Sequence, residues 1–267
     1  MSELYIPKSA LVVVAHPDDI EYSCAGTLAL WADGGAAITY VLCTSGDSGI
    51  DHPDIDRQRA MEIREEEQRA AAEIIGAQEV IFLRHRDGLL QPDLELRKEL
   101  VGIIRRVRPE VVITGDPTLI WMNPIMLNHP DHRAASLATM EAAWPTAGQA
   151  NLYPDFDADE TMRLHRPKKI LCTGWTQPEA NFFVDISSTL DRKVQALEAH
   201  KSQMRGFDMA ALLRHQATTN AAAQKKDGQG MELAEAFRMT SIVDDEWWEK
   251  TQGDPTAARR DAVSSLA

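Results

Sequence analysis

The chain has 267 residues, 44% hydrophobic and 26% charged, an ordinary globular composition with length enough for a sizeable buried core. Its formal net charge of −13 disfavours non-specific binding to nucleic acid or an anionic membrane and suits a neutral or amino-sugar substrate. Cys24, Cys43 and Cys172 are odd in number and widely spaced, so no disulfide framework is implied. With no targeting segment read at the N-terminus and no apolar run near the roughly 20 residues that span a bilayer, a soluble, cytoplasmic protein is expected.

Residues 10–15 open the pattern with a β-branched run, Leu11-Val12-Val13-Val14, expected of a strand buried on both faces. Helix formers follow over 26–32, and a second strand over 37–43. A long helix over 55–75 stops at Gly76. A third strand over 79–83 leads to a helix over 93–107, ended before Pro109. A fourth strand (111–114), a helix (131–144, stopped by Pro145) and a fifth strand (169–173) complete the alternation. A short strand over 182–186 and helices near 190–203 and 208–224 form a helical C-terminal extension. Strands alternating with helices predict an α/β fold, a Rossmann-like three-layer sandwich on a mostly parallel sheet with right-handed crossovers. One domain over 1–244 with a polar, mobile tail over 245–267 is the simplest organisation.

Two similar phrases carry the chemistry. His16-Pro17-Asp18-Asp19 directly follows the first strand, and His129-Pro130-Asp131-His132 follows the fourth after a long loop. Each precedes a predicted helix. Ligands of open α/β sheets bind beyond the carboxyl ends of strands where strand order reverses, so neighbouring first and fourth strands would bring both phrases to one crevice. Histidine and carboxylate suit a catalytic zinc with three protein ligands and one open position. Adjacent aspartates diverge, so Asp18 and Asp19 divide the work, one as ligand and one as general base. One His-Pro-Asp is a common loop-to-helix phrase, for which helix capping is the ordinary reading. Two of them, at the right ends of two strands in a chain with eight histidines, favour the metal.

The stretch from Ala15 to Gly26 resembles the first signature of the PIG-L/LmbE N-deacetylases, and His129 to His132 resembles the second. Thr44-Ser45-Gly46-Asp47, Ile63-Arg64-Glu65-Glu66-Glu67, Asp87-Gly88, His200-Lys201-Ser202-Gln203 and Glu235-Ala236-Phe237 also follow the family pattern. The resemblance implies a zinc-dependent deacetylase that removes an N-acetyl group from a small N-acetylglucosamine-type glycoside, releasing acetate and a free amine. It implies His16, Asp19 and His132 as ligands of one Zn2+ per chain, a set that also accepts other divalent ions. Asp18 would be the general base and His129 the group that stabilises the oxyanion. Arg64 and Asp47 would contact substrate, and a homo-oligomer would be unsurprising. Leu127 stands where some sugar-thiol deacetylases of the family carry tyrosine.

An amidase acting on sugar-thiol conjugates shares this chemistry. A non-catalytic Rossmann-like sugar- or nucleotide-binding module is opposed by the absence of G-x-G-x-x-G after the first strand. A two-metal phosphoesterase needs a richer carboxylate–histidine set. Gly46-Asp47-Ser48-Gly49 is read as turn chemistry, not as a serine nucleophile. In Glu65-Glu66-Glu67 at most Glu66 is expected to turn inward, and Trp247-Trp248 is expected to dock on the body or on a neighbouring subunit.

Overall fold

A computed structural model describes residues 5–123, 125–174, 179–204, 206, 208–224 and 230–257. In chain order, β1 (Ser9–Val14) is followed by α1 (Asp19–Ser23), α2 (Ala25–Asp33), β2 (Ala37–Thr44), α3 (Arg57–Ile75), β3 (Glu79–His85), α4 (Leu94–Val107) and β4 (Val111–Gly115). A hairpin of β5 (Trp121–Asn123) and β6 (Met126–Leu127) leads into α5 (Pro130–Ala143), and a short α6 (Pro154–Asp157) follows. Then come β7 (Lys169–Thr173), β8 (Phe182–Asp185), α7 (Leu190–Glu198), α8 (Met209–Gln224), β9 (Ala234–Ser241) and α9 (Asp245–Thr251).

The main sheet has seven strands in the order β3-β2-β1-β4-β7-β9-β8. It is parallel from β3 to β7, and β9 pairs antiparallel with both β7 and β8. Period-two alternation divides each central strand between two cores. Ala10, Val12 and Val14 of β1 join Trp31, Tyr40 and Leu197 on one face. Leu11 and Val13 join Leu100, Ile104 and Ala138 on the other. Helices therefore cover both faces, as expected of a three-layer α/β sandwich. The chain winds from β1 outward to β3, then returns to place β4 on the other side of β1, with Ala10 beside Val111. The switch point lies at the carboxyl ends of β1 and β4.

Besides the β5–β6 hairpin, which lies in a stretch read as a long loop, three features depart from the sequence-based expectation. Strand β9 falls in a stretch given no strand, because Glu235 interrupts its apolar pattern. That carboxylate is buried, accepting from Lys193 Nζ at 2.6 Å and from the backbone N–H groups of Gly26 and Thr27 at 3.0 and 2.7 Å. The inward glutamate of the triple run is Glu65, held by Ser45, Arg69 and Arg84, while Glu66 is exposed. Of the segment read as a mobile tail, residues 245–257 are described and carry α9, begun by the Asp244 side chain accepting from Trp247 N–H, with Trp248 buried against His165 at 5.9 Å between ring centroids, while 258–267 lie outside the described residues.

His165 is fully buried and bonds the Pro109 carbonyl at 2.8 Å through Nε2; burial pushes its pKa down to about 4. The unfolded chain accepts this proton from about pH 6.5 downward while the folded chain resists it. Stability contributed by the neutral ring is thus full above pH 6.5 and is lost as pH falls toward 4, by about 3 kcal/mol. Urea unfolding across that window should show His165→Gln losing correspondingly less stability than wild type. Equal losses would contradict the assignment.

Candidate metal centre

Both His-Pro-Asp phrases sit at the switch point. His16, Pro17 and Asp18 leave the end of β1, and Asp18 stands before the first turn of α1 with φ +89°. A left-handed backbone at a non-glycine residue is strained and persists where neighbours over-determine it. Here the Asp18 N–H donates to Gln68 Oε1 at 3.1 Å, and Gln68, fully buried, donates in turn to Glu21 Oε1. His200 closes this network on Glu21 Oε2 at 3.3 Å. On the facing loop, His129 is the N-cap of α5, its Nδ1 accepting from the Asp131 N–H at 3.2 Å, with Pro130 in the first turn.

The predicted residues converge. Ring centroids of His16, His129 and His132 lie 4.8 to 5.3 Å apart. Asp19 sits between two of them, with Oδ1 3.1 Å from His132 Nε2 and Oδ2 3.5 Å from His16 Nδ1. Donor atoms about 2.0–2.1 Å from one tetrahedral ion lie roughly 3.3 Å apart, a spacing these two distances bracket. The remaining ring nitrogens are held by oxygen: His132 Nδ1 by Asn128 Oδ1 at 3.1 Å, and His16 Nε2 by Asp87 and Asp131 at 3.1 and 3.4 Å. Metal-binding histidines are oriented in this way by outer carboxylates and carbonyls.

Donor atoms of His16, His129 and His132 approach within 4.8 Å of one another, and so do those of His16, Asp87 and Asp131. The second group is already engaged. Asp131 accepts from the backbone N–H of Gly88 at 2.7 Å and of Leu90 at 3.3 Å, and Asp87 accepts from that of Ser48 at 3.1 Å. Asp87 and Asp131 are thus built to orient His16. Sequence reasoning gave neither a role; the signal for Asp131 was its place between the two histidines of one phrase.

Electrostatics favours a cation here. Burial opposes a charged His16, but the carboxylates of Asp131, Asp19 and Asp87 outweigh it and hold the ring well above its usual pKa. Burial likewise opposes ionisation of Asp19, yet His132 and His16 hold its carboxyl well below the usual range. For Asp18 burial wins over the Arg64 guanidinium, with Asp19 adding to it, and the pKa rises to about 6. Burial and the neighbouring His16 and His132 push His129 downward.

Arg64 is buried beside Asp18, donating to Asp18 Oδ2 at 3.0 Å and to the Pro17 carbonyl at 2.6 Å. It also lines the cavity, and Gly46 and Gly49 pass so close above it that a Cβ at either would collide with its guanidinium. Asp47, read from sequence as a substrate contact, does not line the cavity. Its carboxylate is bonded to Arg57 and to the Asp87 N–H, bracing the loop that carries Asp87. Gln203 does line the cavity and donates to the Gly49 carbonyl at 3.3 Å. The cavity has a volume of about 960 Å³ and is lined by the histidines and aspartates together with apolar residues that include Leu119, Met122, Met126 and Leu212.

The chain is similar to known proteins in sequence and in fold. Over 197 residues the chain is 32% identical to the diacetylchitobiose deacetylase of Thermococcus kodakarensis, covering 73% of this chain and 70% of that one. The family profile PIG-L, described as GlcNAc-PI de-N-acetylase, matches residues 11–143, from β1 to the end of α5. The chain belongs to the PIG-L family. The matched region carries both His-Pro-Asp phrases. Among solved structures, the N,N'-diacetylchitobiose deacetylase of Pyrococcus horikoshii superposes with a TM-score of 0.78 at 26% identity, covering 88% of this chain and 84% of that one. The 4-carboxy-2-hydroxymuconate hydratase GalB of Pseudomonas putida shares the fold, with a TM-score of 0.71 at 24% identity over 89% of this chain and 99% of that one. The PIG-L fold therefore does not by itself decide the bond attacked; the site does.

Proposed function

We propose that this PIG-L chain is a zinc-dependent N-deacetylase that hydrolyses the acetamide of a small N-acetylglucosamine-type glycoside to acetate and a free amine. The observation that carries the reading is Asp19 between His16 and His132, with the half-buried Asp18 carboxylate beside them in the same cavity. His16, Asp19 and His132 would hold the ion. When bound, zinc polarises a substrate carbonyl and lowers the pKa of water to about 7.

The chain's own residues supply the proton chemistry. A carboxyl lifted to about 6 is a base poised near neutral pH, so Asp18 removes a proton from the attacking water. His129 stabilises the oxygen of the opening amide. Its Nδ1 accepts from the Asp131 N–H, which places the ring proton on Nε2, and its lowered pKa keeps the ring neutral. A neutral Nε2–H donor suits the developing oxyanion; such donors contribute about 2.7–4 kcal/mol in acyl-transfer enzymes. The protonated Asp18 then returns its proton to the amide nitrogen as the C–N bond breaks, so that the amine leaves neutral.

Arg64 is assigned here to Asp18 as its counter-charge. Its guanidinium pulls the Asp18 pKa down, so Arg64→Gln should raise it and move the acid limb of the kcat/KM profile to higher pH. An unmoved limb with only KM raised would return Arg64 to a substrate-contact role.

The net charge of −13 and three buried free cysteines support a small-molecule enzyme of a reducing, cytoplasmic setting. Among the described residues no helix is long and apolar enough to cross a membrane. Zinc-loaded protein should release acetate and amine in equal amounts from methyl N-acetylglucosaminide, lose the activity to a chelator and regain it with zinc. Absence of release across a panel of N-acetylhexosamine glycosides would overturn the reading.

A further inference from the structure

We infer that the substrate carries an apolar aglycone, seated on the β5–β6 hairpin beside the metal centre, an inference that rests on the deacetylase reading and narrows its substrate class. Eleven large apolar side chains are exposed among the described residues, and five of them, Ile120, Trp121, Ile125, Met126 and Leu127, fall within 120–127. Clustered apolar exposure of this kind marks a surface that is covered in function.

The hairpin is fastened to the site. Asn128 donates its backbone N–H to the Ile120 carbonyl at 2.8 Å and its amide Nδ2 to the Leu119 carbonyl at 2.9 Å. The same side chain accepts from His132 at 3.1 Å through Oδ1. The apolar strip thus begins where a predicted metal ligand ends. Leu119, Met122 and Met126 enter the cavity wall, and Met126 is both cavity lining and 49% exposed, so wall and strip are one surface.

The residues that line the cavity on this side, Leu119, Met122 and Met126, offer little to the hydroxyls of a second sugar. They do offer an adaptable surface to an alkyl, acyl or aryl group. The cavity, at the upper end of the roughly 300–1,000 Å³ typical of ligand pockets, is larger than one acetamido sugar fills.

The test is a series of methyl, butyl and octyl N-acetylglucosaminides below their micellar concentrations, with wild type and a Trp121→Ser/Met126→Ser variant. In wild type, kcat/KM should rise about tenfold or more from methyl to octyl. In the folded, zinc-loaded variant the octyl-to-methyl ratio should fall toward one. Wild type that hydrolyses all three glycosides equally overturns the aglycone inference and leaves the deacetylase reading standing. Zinc-loaded protein that hydrolyses none overturns both. Loss of self-association in the variant with an unchanged ratio assigns the strip to a second copy and overturns the inference.

Discussion

Asp18→Asn is expected to keep its zinc and lose turnover by about 10²–10⁴-fold, the usual contribution of a positioned general base. The substitution removes the proton-accepting oxygen and changes little else. Asparagine tolerates the left-handed backbone at φ +89° about as well as aspartate does. The N–H bond to Gln68 belongs to the backbone and survives. Arg64 loses its ionic partner but keeps the Pro17 carbonyl. Zinc content measured beside kcat separates this outcome from damage to the site. More than about a tenth of wild-type turnover would remove Asp18 from the role of base.

His132→Ala is expected to abolish stoichiometric zinc, because it removes one of three donors and leaves Asp19 and His16 without the third corner of the site. The effect should rank above that of Asp131→Asn. Asp131 is bonded to His16 and to the backbone of Gly88 and Leu90, so its loss loosens a ligand and is expected to weaken zinc binding by about 10–100-fold. Zinc titration with a competing chelator reads both. The reverse order, with His132→Ala keeping zinc and Asp131→Asn losing it, would move the ion to the cluster of His16, Asp87 and Asp131.

The central sheet was legible because β1 carries a continuous apolar run and β2 and β4 are predominantly apolar, as strands buried on both faces must be. Strand β9 was not, since burial of Glu235 depends on Lys193 and on two N–H groups more than 200 residues away in sequence. The β5–β6 hairpin passed as loop because its strands are only three and two residues long and the consecutive Ile125, Met126 and Leu127, all exposed, lack the alternation of a core strand. The same logic divides the site. His16, Asp18, Asp19, His129 and His132 belong to two short phrases at strand ends and could be read from residue type and position. Asp87, Gln68 and Asn128 act by orienting those residues across the fold, and an orienting side chain carries no local signature. Glu65 replaced Glu66 as the inward residue because the α3 face is set by packing against Ser45 and Arg84, which the run of three glutamates does not encode.

The most direct test is anomalous diffraction at the zinc edge from crystals of the zinc-loaded protein. One peak per chain is predicted, about 2.0–2.2 Å from His16 Nδ1, an Asp19 carboxylate oxygen and His132 Nε2. A peak between His16 Nε2, Asp87 and Asp131, or no peak at the carboxyl ends of β1 and β4, would contradict the account.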